Sequence, residues 1–301
     1  MVLTKEDLIG PYGFIPMPWD EDGQLQEAVL RHDVATLSQT DLAGLYAFDS
    51  TGEFFTVELA EFKRAVDVIL DAAEIPVQIN SAWVNQQGAI DRAAYASAQG
   101  ADGIRFTFPF WEEVTVDEAI EFAKRIETAA DPAPLIHYNI PRAKRLFGAA
   151  EYARLVKEVP GVIGTKLALD ERATMEVLQD VPELQHFVGE HHFVAMMAAG
   201  GDGGYTWLGT MNPELMVEWY ESIINDQWAR AMEIQTMVWD YRKMTYEEFD
   251  VHTDAGYNKI DAALNPDLET GIAVRSPYSS GSAADLTVAR EWIAEHYSEL
   301  I

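Results

Sequence analysis

Lys166 is the residue whose surroundings most clearly predict chemistry. It lies in an apolar segment without carboxylates, Val-Ile-Gly-Thr-Lys-Leu-Ala-Leu, which begins at Val162. Burial disfavours the charged form of a lysine and lowers its pKa from about 10.4 towards neutrality. An uncharged lysine amine is a nucleophile that forms an imine (a Schiff base) with a ketone. The segment therefore predicts a Schiff-base lysine; the alternative is a lysine that extends to solvent or pairs with a glutamate from another strand.

Tyr138 carries a side chain suited to assist such an amine. It precedes Lys166 by 28 residues, the length of one strand and one helix, so both side chains are expected at the same end of neighbouring strands. A phenol transfers protons without adding a fixed charge. We predict that Tyr138 is a proton carrier; the alternative is a core tyrosine with a hydrogen-bonded hydroxyl.

The segment Ser50-Thr51-Gly52 combines two hydroxyl groups with consecutive backbone amides. Such an arrangement can hold a carboxylate in the manner of an anion-binding nest. A plain turn or a helix cap is the alternative for these three residues.

Eight strand-like segments alternate with amphipathic helical patterns along the chain. This alternation predicts where the candidate residues lie in the fold. The predicted strands are 12–16, 44–48, 76–80, 103–108, 134–139, 162–167, 184–188 and 204–208. Two of the helices have predicted starts, at the N-cap Thr56 and at a capping box formed by Thr115 and Glu118. The alternation predicts an α/β protein, a (β/α)8 TIM barrel whose reactive groups lie at the C-terminal ends of its strands. A doubly wound open sheet is the rival, but no Gly-rich phosphate loop follows the first strand.

The barrel and its catalytic site are predicted to occupy residues 1–225. The remaining residues have three helical patterns, at 226–248, 255–264 and 283–298. Because no linker-like composition separates them from the barrel, we predict that 226–301 form a C-terminal helical extension packed on it.

The composition excludes several classes of function. The chain has 301 residues, a net charge of −29 and no cysteine, which removes disulfides, thiolate nucleophiles and Cys-ligated metals. So negative a surface repels nucleic acids and anionic membranes, and the N-terminal residues contain no signal-peptide core. We therefore expect a cytoplasmic protein with small-molecule substrates.

The charge also predicts adaptation to salt. Only eight of the 21 cationic residues are lysines, while 50 residues are acidic. In molar salt, where the Debye length is about 3 Å, the self-repulsion of such a surface is screened. We predict a halophilic protein; an ordinary acidic cytosolic protein is the alternative.

Four further residues are candidates for substrate binding. Trp111 follows the fourth predicted strand, and Tyr205 lies on the eighth, where core packing is the alternative. Arg142 is able to hold a second carboxylate or a phosphate, unless it is a surface charge. Glu190 begins the sequence Glu-His-His, for which contact with the far end of the substrate, a helix-start turn and a metal site are the three interpretations. Because the histidines lack the spacing of metal ligands, no metal site is predicted.

Three motifs together resemble the dihydrodipicolinate synthase/N-acetylneuraminate lyase family. They are Ser50-Thr-Gly-Glu53, Tyr138-Asn-Ile-Pro141 and the strand that ends at Lys166, in this order along the chain. The resemblance extends to Asn212-Pro213 and to Arg275-Ser-Pro-Tyr278. It implies a class I pyruvate-dependent aldolase on a (β/α)8 barrel, assembled as a homotetramer, a dimer of dimers.

The resemblance also implies roles for individual residues. Lys166 would form the imine with the 2-oxo carbon, Tyr138 would be the proton shuttle, and Ser50 and Thr51 would bind the carboxylate, with Ser50 also in the proton relay. No metal or organic cofactor is required, because the imine replaces a Lewis acid.

Departures from the family pattern narrow the predicted substrate. The family loop reads Gly-Thr-Thr-Gly-Glu, whereas this chain has Asp49 and Ser50 at the first two positions. Trp111 ends a Pro-Phe-Trp sequence where the synthases have Pro-Tyr-Tyr, and Ala143 stands where they have an arginine. These differences argue against a true dihydrodipicolinate synthase. They favour a 2-keto-3-deoxy sugar acid as substrate; an aromatic-bearing 2-oxo acid that stacks on Trp111 is the alternative.

The sequence thus predicts a class I carbon–carbon lyase that joins pyruvate to an aldehyde or cleaves the product, with a 2-keto-3-deoxy sugar acid as substrate. A dehydratase or hydratase-aldolase that uses the same imine, and dihydrodipicolinate synthase itself, are the alternatives of similar chemistry. A barrel that binds small acids without catalysis is the alternative of another class.

Overall fold

Eight short parallel strands form the sheet of the protein. The computed structural model describes residues 3–301. The strands follow one another in chain order around a closed barrel, which confirms the predicted (β/α)8 fold. They are β1 (Gly10–Phe14), β2 (Gly44–Ala47), β3 (Val77–Asn80), β4 (Gly103–Phe106), β5 (Leu135–Asn139), β6 (Val162–Leu167), β7 (Gln185–Val188) and β8 (Gly203–Tyr205).

Twelve α-helices within the described residues accompany the strands, and the last three form the predicted C-terminal helices. They are α1 (Glu27–Leu37), α2 (Leu59–Ala72), α3 (Gln86–Ala98), α4 (Val116–Ala130), α5 (Ala149–Glu158), α6 (Glu171–Asp180), α7 (Phe193–Ala198), α8 (Leu208–Met211), α9 (Pro213–Ile224), α10 (Trp228–Glu248), α11 (Asp254–Leu264) and α12 (Ala283–His296). No helix among residues 3–301 has the length and the apolar character needed to cross a bilayer.

Two predicted helix starts have different outcomes. The capping box is confirmed, because the Thr115 side chain accepts from the Glu118 amide while the Glu118 carboxylate accepts from the Thr115 amide. The predicted N-cap Thr56 is wrong, since α2 begins three residues later, at Leu59, after the N-cap Glu58. Thr56 instead ends a 3₁₀ turn and its hydroxyl donates to the Glu53 carbonyl.

The chain divides into two compact units. The first consists of the described part of Met1–Gly10 with Pro76–Tyr205, and the second of Pro11–Ile75 with Thr206–Ile301. The division into a barrel at 1–225 and an extension at 226–301 stays a prediction.

The first unit contains the strands β3 to β8, each paired with the next in parallel register. All five residues of β5 are buried, as expected for a parallel strand that is covered on both faces. Successive residues of a strand point to opposite faces. One set of β5 side chains therefore faces the barrel interior and the other faces the surrounding helices.

The second unit pairs β1 with β2, with Tyr12 opposite Gly44. In this unit α1 packs against α2, α9 against α10, and α11 against the 3₁₀ turn Ser50–Gly52. The C-terminal helix α11 therefore lies directly on the turn that follows β2.

Candidate active site

Lys166 and Tyr138 lie on paired strands of the first unit. Lys166 on β6 is the register partner of Tyr138 on β5. The two side chains are 9% and 7% exposed, and the Lys166 Nζ atom lies 4.3 Å from the centroid of the Tyr138 ring. A lysine amine is thus held at the edge of solvent, in contact with a phenol ring.

Tyr205 and Arg105 of the first unit also belong to this cluster. The Lys166 Nζ atom lies 5.6 Å from the Tyr205 ring centroid. The Arg105 guanidinium carbon lies 4.1 Å from the same centroid and 5.5 Å from that of Tyr138. Each of the two rings therefore lies near two cationic groups, which are attracted to the electron-rich face of an aromatic ring.

Sequence reasoning did not single out Arg105. It is fully buried on β4, where Ile136 of β5 is its register partner, two residues before Tyr138. Its segment, Gly-Ile-Arg-Phe, is as apolar as that of Lys166. A cationic residue in an apolar strand is thus a signal that also marks Arg105 in the sequence.

The Tyr205 hydroxyl is held within the interior of the first unit. It donates to Gln78 Oε1 on β3 at 2.6 Å. This hydrogen bond orients the Tyr205 ring, whose centroid lies 5.6 Å from the Lys166 Nζ atom.

Asn139 explains part of the Tyr-Asn-Ile-Pro motif. Its side-chain amide donates to the Phe147 carbonyl at 2.7 Å, and its Oδ1 accepts from the Phe147 amide at 3.2 Å. These two hydrogen bonds hold the loop after β5 against the end of the strand. Asn139 thus stabilises the strand end on which Tyr138 lies.

His137 faces away from Tyr138, into an aromatic cluster of the first unit. Its Nδ1 atom lies 2.8 Å from the Tyr152 hydroxyl, and the Phe108 ring centroid is 4.3 Å from its own. Burial lowers the pKa of His137 from 6.5 to about 3, because the charged imidazolium would lose its hydration. His137 is therefore neutral at physiological pH and part of the packing behind β5.

Acidification is expected to destabilise the fold through His137. Below pH 6.5 an unfolded histidine binds a proton that the folded His137 does not bind until about pH 3. Above pH 6.5 the histidine is neutral in both states and folding carries no penalty from its protonation. As the pH falls from 6.5 towards 3, the free energy of unfolding therefore decreases by roughly 1 kcal/mol per pH unit. In urea denaturation between pH 6 and 4, the wild type should lose stability faster than His137→Gln, which cannot titrate. Equal slopes would contradict this origin.

The segments after β4 and β5 are joined by cationic side chains. The Lys144 ammonium donates to the Trp111 carbonyl, and the Arg145 Nε atom donates to the Val114 carbonyl at 2.6 Å. The Trp111 side chain is 72% exposed. Arg142 is exposed in the 3₁₀ turn Pro141–Ala143, whose last residue is buried.

Glu190 begins a 3₁₀ turn, Glu190–His192, which leads directly into α7. His192 at the end of this turn is exposed, with its Nε2 atom 3.1 Å from Glu171 Oε1. Across residues 3–301, no group of three or more His, Asp or Glu side chains is arranged to hold a metal ion. The helix-start interpretation of Glu-His-His agrees with this geometry.

In the second unit, Ser50, Thr51 and Gly52 form a single 3₁₀ turn after β2. The Gly52 amide donates to the Asp49 carbonyl at 3.0 Å and the Glu53 amide to the Ser50 carbonyl at 3.3 Å. Glu53, which follows, has a left-handed backbone with φ of 52°. Its carboxylate is fully buried and accepts from Trp19 Nε1 at 2.9 Å and from the Arg275 amide at 2.8 Å.

A buried amine that lies against a phenol ring, on adjacent strands of a parallel barrel, is an arrangement compatible with a Schiff-base lyase. Comparisons with known proteins agree with this class. The 4-hydroxy-tetrahydrodipicolinate synthase of Methanothrix thermoacetophila is 22% identical over 282 residues, which cover 92% of this chain and 95% of that protein. The N-acetylneuraminate lyase of Escherichia coli is 26% identical over 202 residues, which cover 66% and 68%.

The fold is also found in solved structures. YagE, a prophage protein of the dihydrodipicolinic acid synthase family from E. coli K12, was crystallised in complex with pyruvate. It superposes with a TM-score of 0.88 at 20% identity, over 96% of this chain and 98% of that one.

The chain belongs to the Dihydrodipicolinate synthetase family, whose sequence model it matches over residues 8–285. The family comprises class I pyruvate-dependent aldolases and lyases. The predicted family, fold and enzyme class are therefore confirmed.

Proposed function

We propose that this protein cleaves or forms a carbon–carbon bond between pyruvate and an aldehyde, with a 2-keto-3-deoxy sugar acid as its substrate. The observation that carries the proposal is the Lys166 amine, buried on β6 and 4.3 Å from the Tyr138 ring. The sugar-acid assignment is supported by the departures from the synthase pattern at Ser50, Trp111 and Ala143.

The reaction begins with attack of the Lys166 amine on the 2-oxo carbon. Loss of water from the resulting carbinolamine, with a proton taken up from solvent, gives a protonated imine, which acts as an electron sink. Tyr138, which passes its own proton through Ser50 to solvent, then takes the proton of the 4-hydroxyl group. The bond between C3 and C4 breaks, and the electrons of that bond move to the imine. The products of this step are an aldehyde and an enamine. Protonation of the enamine at C3 and hydrolysis of the imine release pyruvate and restore Lys166.

The substrate carboxylate is assigned to the Ser50-Thr51-Gly52 turn. Its support is the resemblance of the Ser50-Thr-Gly-Glu53 motif to the family loop, together with the two adjacent hydroxyl groups that lie in one 3₁₀ turn. Ser50 also relays the proton in this proposal. Trp111, Arg142, Glu190 and Tyr205 are assigned to the remainder of the substrate.

Trapping with borohydride tests the proposed chemistry. Incubation with pyruvate and borohydride should add one reduced pyruvate to the peptide that contains Lys166, as measured by mass spectrometry. No adduct would overturn the proposal and favour a barrel that only binds small acids. With 2-keto-3-deoxygluconate, the aldolase releases pyruvate. A dehydrated 2-oxo acid with all its carbons would instead identify a dehydratase that uses the same imine.

We also propose that the protein works in the cytoplasm of a salt-adapted cell as a homotetramer. The support is the net charge of −29 with only eight lysines and the assembly implied by the family resemblance. Sedimentation in molar and in dilute salt measures both the assembly and its salt dependence.

A further inference from the structure

The conformation of Glu53 requires support from outside its own turn. A left-handed backbone at a residue other than glycine costs about 1 kcal/mol or more. Glu53 nevertheless adopts φ of 52° directly after the Ser50–Gly52 turn. Strained residues of this kind persist where surrounding contacts hold them. The contacts of the Glu53 side chain therefore decide the geometry of this turn.

Lys259 supplies the charge that faces the Glu53 carboxylate. Its Nζ atom on α11 lies 3.4 Å from Glu53 Oε1, and both side chains are buried. The same ammonium donates to the Met17 carbonyl and to the Ala273 carbonyl, the latter at 2.9 Å. An ammonium has three donors, and these three acceptors engage all of them. Lys259 thus joins three segments and is not itself a ligand site.

The Arg275 side chain holds the segment that follows Glu53. Its Nε atom donates to the Gly23 carbonyl at 3.0 Å, and its guanidinium also donates to the Thr56 carbonyl at 2.9 Å and to Glu61 Oε1 at 2.7 Å. The guanidinium carbon lies 4.1 Å from the Trp19 ring centroid. Arg275 thereby ties the chain after Glu53 to the start of α2.

An aromatic contact reinforces the same connection. The Phe55 and Tyr278 ring centroids are 5.0 Å apart in an edge-to-face arrangement, a favourable geometry for aromatic pairs. Residues 53–61 are therefore contacted by three residues of the C-terminal part of the chain. These are Lys259 through its ammonium, Arg275 through its guanidinium and its backbone amide, and Tyr278 through its ring.

We propose that Lys259 and Arg275 are positioning residues for the 2-oxo acid carboxylate. Lys259 holds the Glu53 carboxylate and the Arg275 side chain holds the segment that follows Glu53, so that together they fix the Ser50-Thr51-Gly52 turn in the conformation proposed to bind the carboxylate. This inference rests on the proposed function, and it gives the C-terminal helices a role in substrate affinity. It separates two tasks: the turn binds the carboxylate, while Lys166 reacts with the ketone.

The test compares pyruvate with its methyl ester, which keeps the ketone and lacks the carboxylate. Arg275→Met and Glu53→Gln should raise the pyruvate concentration for half-maximal borohydride adduct about tenfold, equal to about 1.4 kcal/mol of binding free energy. Adduct yield at saturating pyruvate should stay within about twofold, and half-saturation by the ester should not change. Arg64→Met is the matched control, because it removes an exposed pair with Glu27 in the same unit.

Two outcomes would overturn the inference in folded variants, as judged by circular dichroism. One is unchanged half-saturation by pyruvate, and the other is an equal loss with pyruvate and with the ester. If Glu53→Gln does not fold, Arg275→Met still tests the inference, because the Arg275 side chain is partly exposed and its replacement is better tolerated. Absence of an adduct in the wild type at any pyruvate concentration would instead overturn the proposed function.

Discussion

Lys166→Met should abolish turnover, with a loss of about 10⁵-fold or more, as expected when a covalent nucleophile is removed. Methionine has a similar length and is apolar, so it fits a site that is 9% exposed. The variant should therefore fold but lack the amine that is proposed to form the imine. Initial rates of 2-keto-3-deoxygluconate cleavage, with the borohydride adduct measured in parallel, test this expectation.

Two further variants sharpen this prediction. Lys166→Arg keeps the positive charge but remains protonated, because the guanidinium pKa is above about 12, so it should be as inactive as Lys166→Met. Lys157→Met changes an exposed lysine on α5 and is the matched control. Since the chain has only eight lysines, peptide mapping can examine each of them for the adduct. An adduct on a different lysine, or activity in Lys166→Met, would exclude the assigned nucleophile.

Tyr138→Phe should separate imine formation from bond cleavage. The phenyl ring retains the contact with Lys166 Nζ, which lies 4.3 Å from the Tyr138 centroid. The hydroxyl proposed to carry the proton is lost, and removal of a general acid–base group costs about 10²–10⁴-fold in rate. We therefore expect cleavage to fall by this factor while borohydride still traps pyruvate on Lys166.

Tyr205→Phe is the comparison for this variant, because it removes a hydroxyl from the second ring near the same amine. That hydroxyl donates to Gln78 Oε1 at 2.6 Å, so its loss should reduce the rate much less than the loss of the Tyr138 hydroxyl. Equal losses in the two variants would indicate a general effect of packing, and the proton-transfer role of Tyr138 would then be wrong.

The strand–helix alternation and the buried lysine were both predictable because they are local signals. Apolar runs mark strands that are covered on both faces, and all eight predicted strands are present. Strand ends were less predictable: the segment expected at 204–208 is a strand only through Tyr205, and Leu208 begins α8. A short apolar run is compatible with a strand or a helix, so periodicity alone does not locate the change.

The site itself was predictable only where its residues occur in motifs or in unusual segments. Lys166 and Tyr138 are separated by one repeat, and their pairing follows from the order of parallel strands. The prediction of Thr56 as an N-cap was wrong because the Thr56 hydroxyl donates to the Glu53 carbonyl, an interaction that competes with capping. Lys259 lies in an ordinary helical pattern, which carries no sign of its partner.

The amino-acid sequence by itself determined the class of this protein: the repeated strand–helix period, the lysine in an apolar strand and the motifs around it are all encoded within short stretches. Only the tertiary structure decided which side chains support them. The Arg275 amide meets a Glu53 oxygen 222 residues away, and the Tyr205 hydroxyl meets Gln78 across 127 residues. Such contacts depend on the packing of whole elements, and a long separation along the chain leaves no local pattern from which to infer them.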